Sequence, residues 1–387
     1  MGVLVIGGGI VGLSAAHYLA ERGADVTLYE KGSLGAGSTA RAAGGIRSQF
    51  STAVNVELSL ASKRVWNDFE ATFGVDIGYR KNGYLFLARS EETAEQFREN
   101  VRMQRDLGAE SEFVTPEEAT AYCPELHPEL FVAATYNGDD GMADPNLAVQ
   151  GYANACREQG VDVRTGTAVT DVHREDGRVV GVDVEDDGGS ERREADYVVN
   201  AAGAWATRVD ELAGVDLPIS PRRRQIAVVD PTPPVAESVP LTIDLETGSY
   251  FRPERDGIAI VGGHFPEDDD PDQDPDRFDE DMDIEWAARA VEYAAEYTDY
   301  FGPETRIRRG WAGLYAVTPD HHPVIEETLP GFVTAAGFSG HGFQHAPATG
   351  QIVADIVLAG EPKLVDVSAL AGDRFERGEA LVEQNVA

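Results

Sequence analysis

Gly7, Gly9 and Gly12 stand in the spacing G-x-G-x-x-G, and Glu30 follows at about the 20-residue separation at which an acid reaches a ribose hydroxyl. Each missing side chain has its own use: a tight turn at Gly7, close approach of a pyrophosphate at Gly9, and helix-on-strand packing at Gly12. A helix opening at Ile10 and Val11 turns its N–H groups and the positive end of its dipole toward phosphates. This is the chemistry of an adenine dinucleotide site. The motif alone does not separate a nicotinamide from a flavin. A second constellation, His321-His322, has the look of a metal-ligand pair, but no third ligand follows at a metal-site spacing, and no metal is expected.

The elements that must hold this motif are legible around it. Val3 to Ile6 is an apolar run of the buried parallel-strand kind, Ile10 to Glu21 has helical spacing, and Val26 to Tyr29 reads as the next strand. A helix over Leu147 to Glu158, a strand over Val161 to Arg164, a hairpin through Asp176-Gly177 and a buried strand over Tyr197 to Ala202 continue this grammar. Near the C-terminus a strand over Gly331 to Ala336, a glycine-rich turn and a helix over Ala348 to Leu358 complete it. Between these blocks, Tyr84 to Leu87, Gln225 to Val229, Tyr250 to Arg252, Ile258 to Val261 and Ile307 to Leu314 alternate as strands do. They predict one antiparallel sheet built from two insertions. The expected fold is α/β: a discontinuous Rossmann-type unit (residues 1–80, 141–217 and 320–387) with an inserted antiparallel-sheet substrate unit (residues 81–140 and 218–319).

The chain has 387 residues, with 68 acidic against 32 basic side chains and a net charge of -36. Such a charge argues against nucleic-acid or anionic-membrane partners and points to a high-salt cytoplasm, since a large single-sign field maintains solubility but repels itself at low salt. The acidic runs Glu267 to Asp281 and Glu185 to Glu194 read as solvated loops. Cys123 and Cys156 fall outside any CxxC pattern, which fits a reducing cytosol. No export signal is read at the start, and no apolar run is long enough to insert in a membrane.

Four segments occur in one order: GSTARAAGGIRSQFS from Gly37 to Ser51, AAGAW from Ala201 to Trp205, GLYAVTPDHHPVI from Gly313 to Ile325, and GFSGHGFQHAPATG from Gly337 to Gly350. Together they resemble the family of D-amino-acid, glycine and sarcosine oxidases and related dehydrogenases. The resemblance implies FAD, and implies that Ser38, Thr39, Gly44, Gly45 and Ile46 run beside its ribityl chain and flavin edge. Ala201, Ala202, Gly203 and Trp205 would lie beside the phosphates. Gly340, His341, Gly342, Phe343 and Gln344 would meet the pyrimidine ring at a helix start, where the dipole favours the charge of a reduced flavin. Lys31, Val169 and Gly313 are assigned to the cofactor on the same ground, and His321-His322 are expected beside the flavin.

The resemblance implies that a neutral substrate amine loses its α-hydrogen to the flavin as hydride, leaving an imine that water hydrolyses. Arg47 matches a carboxylate-binding arginine of sarcosine oxidases, and a guanidinium suits forked carboxylate recognition. Tyr250 matches a tyrosine of the substrate pocket and His264 a nearby histidine. Two departures matter: Tyr315 replaces an arginine of glycine and D-amino-acid oxidases, and Gln344 replaces a lysine of sarcosine oxidase. The carboxylate contact therefore rests mainly on Arg47, and sarcosine-, glycine- and proline-like substrates all stay open. Gly313 stands where monomeric sarcosine oxidases carry a flavin-linking cysteine, and Gly37 to Ile46 contains no histidine, so FAD is expected without a covalent link. Monomeric sarcosine oxidases, which the chain resembles, carry a lysine above the flavin that helps oxygen react; the matching strand Gly257 to Gly263 has none, so the resemblance implies a carrier or partner subunit as electron acceptor. Two other functions compete: a nicotinamide-dependent dehydrogenase, and a flavin-containing electron-transfer subunit or assembly factor without turnover of its own.

Overall fold

The computed structural model describes residues 1–385. A six-stranded sheet runs in the order Val324–Leu329, Phe332–Ala336, Tyr197–Asn200, Gly2–Ile6, Asp25–Glu30, Asp162–Thr165. Its strands are parallel except at the Val324–Leu329 edge, with Val3 facing Tyr197 on one side and Val26 on the other. Continuous apolar runs suit this sheet because both faces are covered. On one face the helices Ile10–Glu21, Pro145–Glu158 and Gly342–Ala359 share a core with Val3, Val5 and Leu28. The first and last of these helices meet at Gly350, where a Cβ would come within 2.3 Å of the Ser14 hydroxyl. On the other face lies a three-stranded sheet, Ala168–Glu175, Arg178–Asp186 and Gly189–Glu194.

Eight strands form the second large sheet, in the order Arg306–Val317, Ser220–Asp230, Ala259–Gly263, Ser249–Pro253, Leu241–Asp244, Tyr84–Ala88, Ala133–Asn137, Glu112–Val114. It is antiparallel except at one junction: Leu241–Asp244 and Tyr84–Ala88 pair in parallel, Leu241 facing Tyr84. These two strands come from different parts of the chain, so no tight hairpin dictates their sense. The period-two pleat sorts their side chains. Leu85, Ala227, Phe251 and Val261 pack with Trp286, Ala290 and Ala294 of the helix Ile284–Tyr297, while Tyr84, Ile226, Ile243 and Tyr250 face the other way.

The last long helix begins at Gly342 rather than Ala348, because burial of Phe343 to Ala346 outweighs the helix-breaking signal of Pro347. A helix over Glu91–Asp106, capped by the Ser90 side chain, went unread in the sequence. Among the described residues no helix is long and apolar enough to cross a membrane.

Candidate functional site

A cavity of about 840 Å³ runs from the Gly7–Gly9 turn to the open face of the eight-stranded sheet. Every residue assigned from sequence to cofactor or substrate lines it except Gly12, Ile46, His264, His321 and His322. Gly12 packs behind the turn, where a Cβ would sit 1.9 Å from the Gly7 carbonyl oxygen. Ile46 is buried in the helix core. His264 is partly exposed near Asp270, at 3.8 Å, and lies away from the cavity. His321 and His322 are also not on its wall, against the expectation that they lie beside the flavin. His322 bonds the Thr52 hydroxyl at 2.9 Å, and the His321 carbonyl accepts from Nε2 of the cavity-lining His341 at 3.0 Å.

At the fingerprint end, Glu30 accepts from the N–H groups of Gly8 and Gly32, both at 2.7 Å, which fixes its carboxylate at the mouth of the turn. Thr39 accepts from the Ile10 N–H at 3.2 Å and ties the Gly37–Gly45 stretch to the helix start. Gly7, with φ of 106°, leaves no space for a side chain because its Cβ would meet the Ala201 carbonyl oxygen at 2.5 Å. Gly9 and Gly203 differ. A Cβ on Gly9 meets nothing nearer than 3.4 Å and one on Gly203 nothing within 4 Å, so both open onto the cavity and let a ligand reach the backbone. With the helix N-terminus alongside, these residues fit the pyrophosphate and ribose of FAD.

The acidic run that reads as a solvated loop closes part of this cavity. Asp276 accepts from Trp205 Nε1 at 2.8 Å and pairs with Lys31 and Arg208, while Glu280 pairs with Arg41 at 2.7 Å. Lys31, with Trp205 and Arg208, holds the Asp276 carboxyl down at about 2. Further along, Arg222 and Arg224 hold Asp272 and Asp270. The charges in this segment thus find specific cations, a pairing that composition alone does not reveal.

At the far end lie Arg47, Tyr84, Tyr250, Tyr315, Leu241, Ile243 and Gln344. Each tyrosine ring rests where a glycine leaves room: a Cβ on Gly45, Gly262 or Gly340 would come within 1.9, 2.3 and 2.3 Å of Tyr84, Tyr250 and Tyr315 respectively. Gln344 accepts from the Arg47 backbone N–H at 2.7 Å, so its side chain fixes the strip and is not turned wholly to the cavity. Arg47 is 8% exposed. Its guanidinium stacks on Phe50 at 3.8 Å and donates to the backbone carbonyls of Gln49 and Asn385. Burial pushes its pKa below the usual value, opposed by Glu383, Tyr84 and Asp140. No carboxylate lies within 4 Å of it among the described residues, in contrast to buried Lys63, which pairs with Asp139 and Asp140. Burial pulls His345 down to about 3 and His341 well below its usual range, so both stay neutral at pH 7.

Sequence reasoning missed Tyr84, Asp276 and the Glu383–Asn385 segment. Tyr84 was legible only as a strand residue, and the other two carry no motif.

The family model described as "FAD dependent oxidoreductase" (DAO) matches residues 2–356. The crystal structure of L-proline dehydrogenase from P. horikoshii is similar over 97% of this chain and 98% of that one, at 34% identity and a TM-score of 0.86. Glycine oxidase from Geobacillus kaustophilus is similar over 96% and 98%, at 25% identity and a TM-score of 0.81. The Xenopus laevis FAD-dependent oxidoreductase domain-containing protein 1 is 32% identical over 99% of this chain and 84% of its own.

Proposed function

Because this chain belongs to the DAO family of FAD-dependent oxidoreductases, we propose that it oxidises the C–N bond of a small amino or imino acid whose carboxylate is held by Arg47. One observation carries the reading: a buried guanidinium on the cavity wall, with no carboxylate partner among the described residues. A buried charge with no ion-pair partner is costly; Glu383 and Asp140 offset that cost only from beyond 4 Å, and an anionic ligand in contact relieves it further. The Gln49 and Asn385 carbonyls engage two of the five guanidinium N–H groups and leave donors for a carboxylate.

Bound FAD supplies the two-electron acceptor. The protein's part is orientation. Arg47 fixes the carboxylate end, and Tyr250 and Tyr315 bound the side-chain and amine end, so that the α-carbon is presented to the strip at Gly44 and Gly45. The apolar walls at Leu241 and Ile243 limit water around the reacting bond. The similarity to L-proline dehydrogenase makes proline the first substrate to try, with sarcosine and glycine beside it. The absence of a lysine in Gly257 to Gly263 supports an acceptor other than oxygen.

The test is anaerobic addition of proline, sarcosine, glycine and other amino acids to the FAD-bound protein, followed by dye-coupled turnover. Bleaching of the flavin absorbance by one of them is expected, with oxygen turnover at least about tenfold below dye turnover. A flavin that no amino or imino acid reduces would leave the chain as an electron-transfer subunit or assembly factor instead.

A further inference from the structure

We propose that Tyr84 is a second carboxylate-binding residue of this site, its phenolic O–H donating to the substrate oxygen that Arg47 does not fully satisfy. The inference rests on the reading of Arg47 above and goes beyond it by naming a donor on a different element. The Tyr84 ring is packed away, 5% exposed overall, while its hydroxyl makes no hydrogen bond to protein among the described residues and is left free for a ligand in the cavity. It opens on the same cavity as Arg47. The ring is held rather than loose. The Tyr84 carbonyl accepts from Gln49 Nε2 at 3.0 Å, Phe86 lies alongside with ring centroids 6.4 Å apart, and the slot over Gly45 admits the hydroxyl only because that residue has no Cβ.

The geometry ties Tyr84 to Arg47. Gly45 is two residues before Arg47, so the hydroxyl sits against the backbone that carries the guanidinium. Phe86, one pleat further on the same strand face, stacks 5.3 Å from the Arg47 guanidinium carbon. A carboxylate has about four lone-pair sites, and those left after a partly engaged guanidinium need a further donor that is fixed and uncharged. With Tyr315 and Gln344 in place of cationic residues, Tyr84 supplies that donor without adding charge to an already buried site.

The holoprotein and its Tyr84→Phe variant should be titrated with acetate, and separately with methylamine, following the flavin absorbance. Tyr84→Phe should weaken acetate about tenfold or more, the effect of losing one hydrogen bond to a charged group. Methylamine affinity, FAD content and melting temperature should stay at wild type. Equal acetate affinity in the two proteins overturns the proposal, as does a loss that falls alike on acetate and methylamine, which is the mark of a deformed pocket. Arg47→Ala separates the two levels. If it weakens acetate and Tyr84→Phe does not, Tyr84 falls while the reading of the site stands. Failure of acetate to perturb the wild-type flavin, or of either variant to change its affinity, sinks both.

Discussion

Arg47 donates to the backbone carbonyl of Asn385, which joins the Tyr84, Tyr250 and Tyr315 end of the cavity to the C-terminal segment. That segment is anchored by Glu383, which is 1% exposed and accepts from Ser51 N and Oγ, Thr52 Oγ1, Asn55 Nδ2 and Asn385 N. The Glu383 carboxylate therefore sits at the start of the helix Ala53–Asn67, where a negative charge is favoured by the exposed N–H groups. Replacing Glu383 by Ala strands these donors in the interior. The expected loss is about 2–4 kcal/mol of stability, from several hydrogen bonds worth roughly 1 kcal/mol each net. Urea denaturation of the FAD-bound protein checks it, and a change below about 0.5 kcal/mol would show that water replaces the carboxylate at no cost.

Asp276 gives a second prediction. It joins Lys31, Trp205 and Arg208 around the cofactor end of the cavity, with Glu280 pairing to Arg41 beside it. Asp276→Asn keeps the size but removes the charge. The rate of FAD release should rise about three- to tenfold, and the difference between variant and wild type should shrink as salt screens the ion pairs. Fluorescence of released FAD on dilution reads the rate, and identical rates at low salt would refute a closing role.

How much of this was legible in the sequence depended on whether a residue's use was local. The Gly7–Gly12 turn and its flanking strands are encoded by neighbours within one βαβ unit, so spacing reveals them. Tyr84 and Tyr250 also alternate correctly within their strands, yet nothing local says that their rings share one cavity with Arg47. That follows from sheet order, including the parallel pairing of Leu241–Asp244 with Tyr84–Ala88. The Glu267–Asp281 run is a mostly exposed loop, as its composition reads, but composition does not say that Lys31, Arg41 and Arg208 reach it from far along the chain. His264 and the His321-His322 pair were assigned by resemblance, and none of the three lines the cavity: His264 lies 3.8 Å from Asp270, and His322 bonds the Thr52 hydroxyl.

Noncovalent attachment of FAD is a third prediction. Gly313 is packed against Arg41, whose Cβ lies 2.9 Å from where a Gly313 Cβ would stand, and Gly37 to Ile46 offers no nucleophilic side chain of the flavin-linking type. Both cysteines are buried elsewhere, in the helix core and the sheet core, and burial pushes each thiol up to about 12. Precipitation with acid should leave a colourless pellet and all the flavin in the supernatant. A pellet that stays yellow after washing would disprove it.

The fourth prediction concerns Arg47 itself. Its guanidinium is buried, stacked on Phe50 and held by two carbonyls, with no ion pair to a structural acid such as Glu57 among the described residues. Removing it therefore breaks no ion pair among the described residues, and the fold should tolerate the loss better than the loss of Lys63, which is tied to Asp139 and Asp140. The cost should appear in catalysis. Arg47→Ala is expected to lower kcat/KM for a carboxylate substrate by about two orders of magnitude, within the roughly 2–5 kcal/mol typical of truncating one partner of a buried charge pair. Arg47→Lys should recover only part of it, since an ammonium lacks the planar fork that meets two carboxylate oxygens together. Uncharged amine analogues should be turned over as well by Arg47→Ala as by wild type, because they never used the guanidinium. Steady-state kinetics on the FAD-replete variants decide the matter: wild-type kcat/KM for the carboxylate substrate in Arg47→Ala would move the anchor to another residue of the cavity.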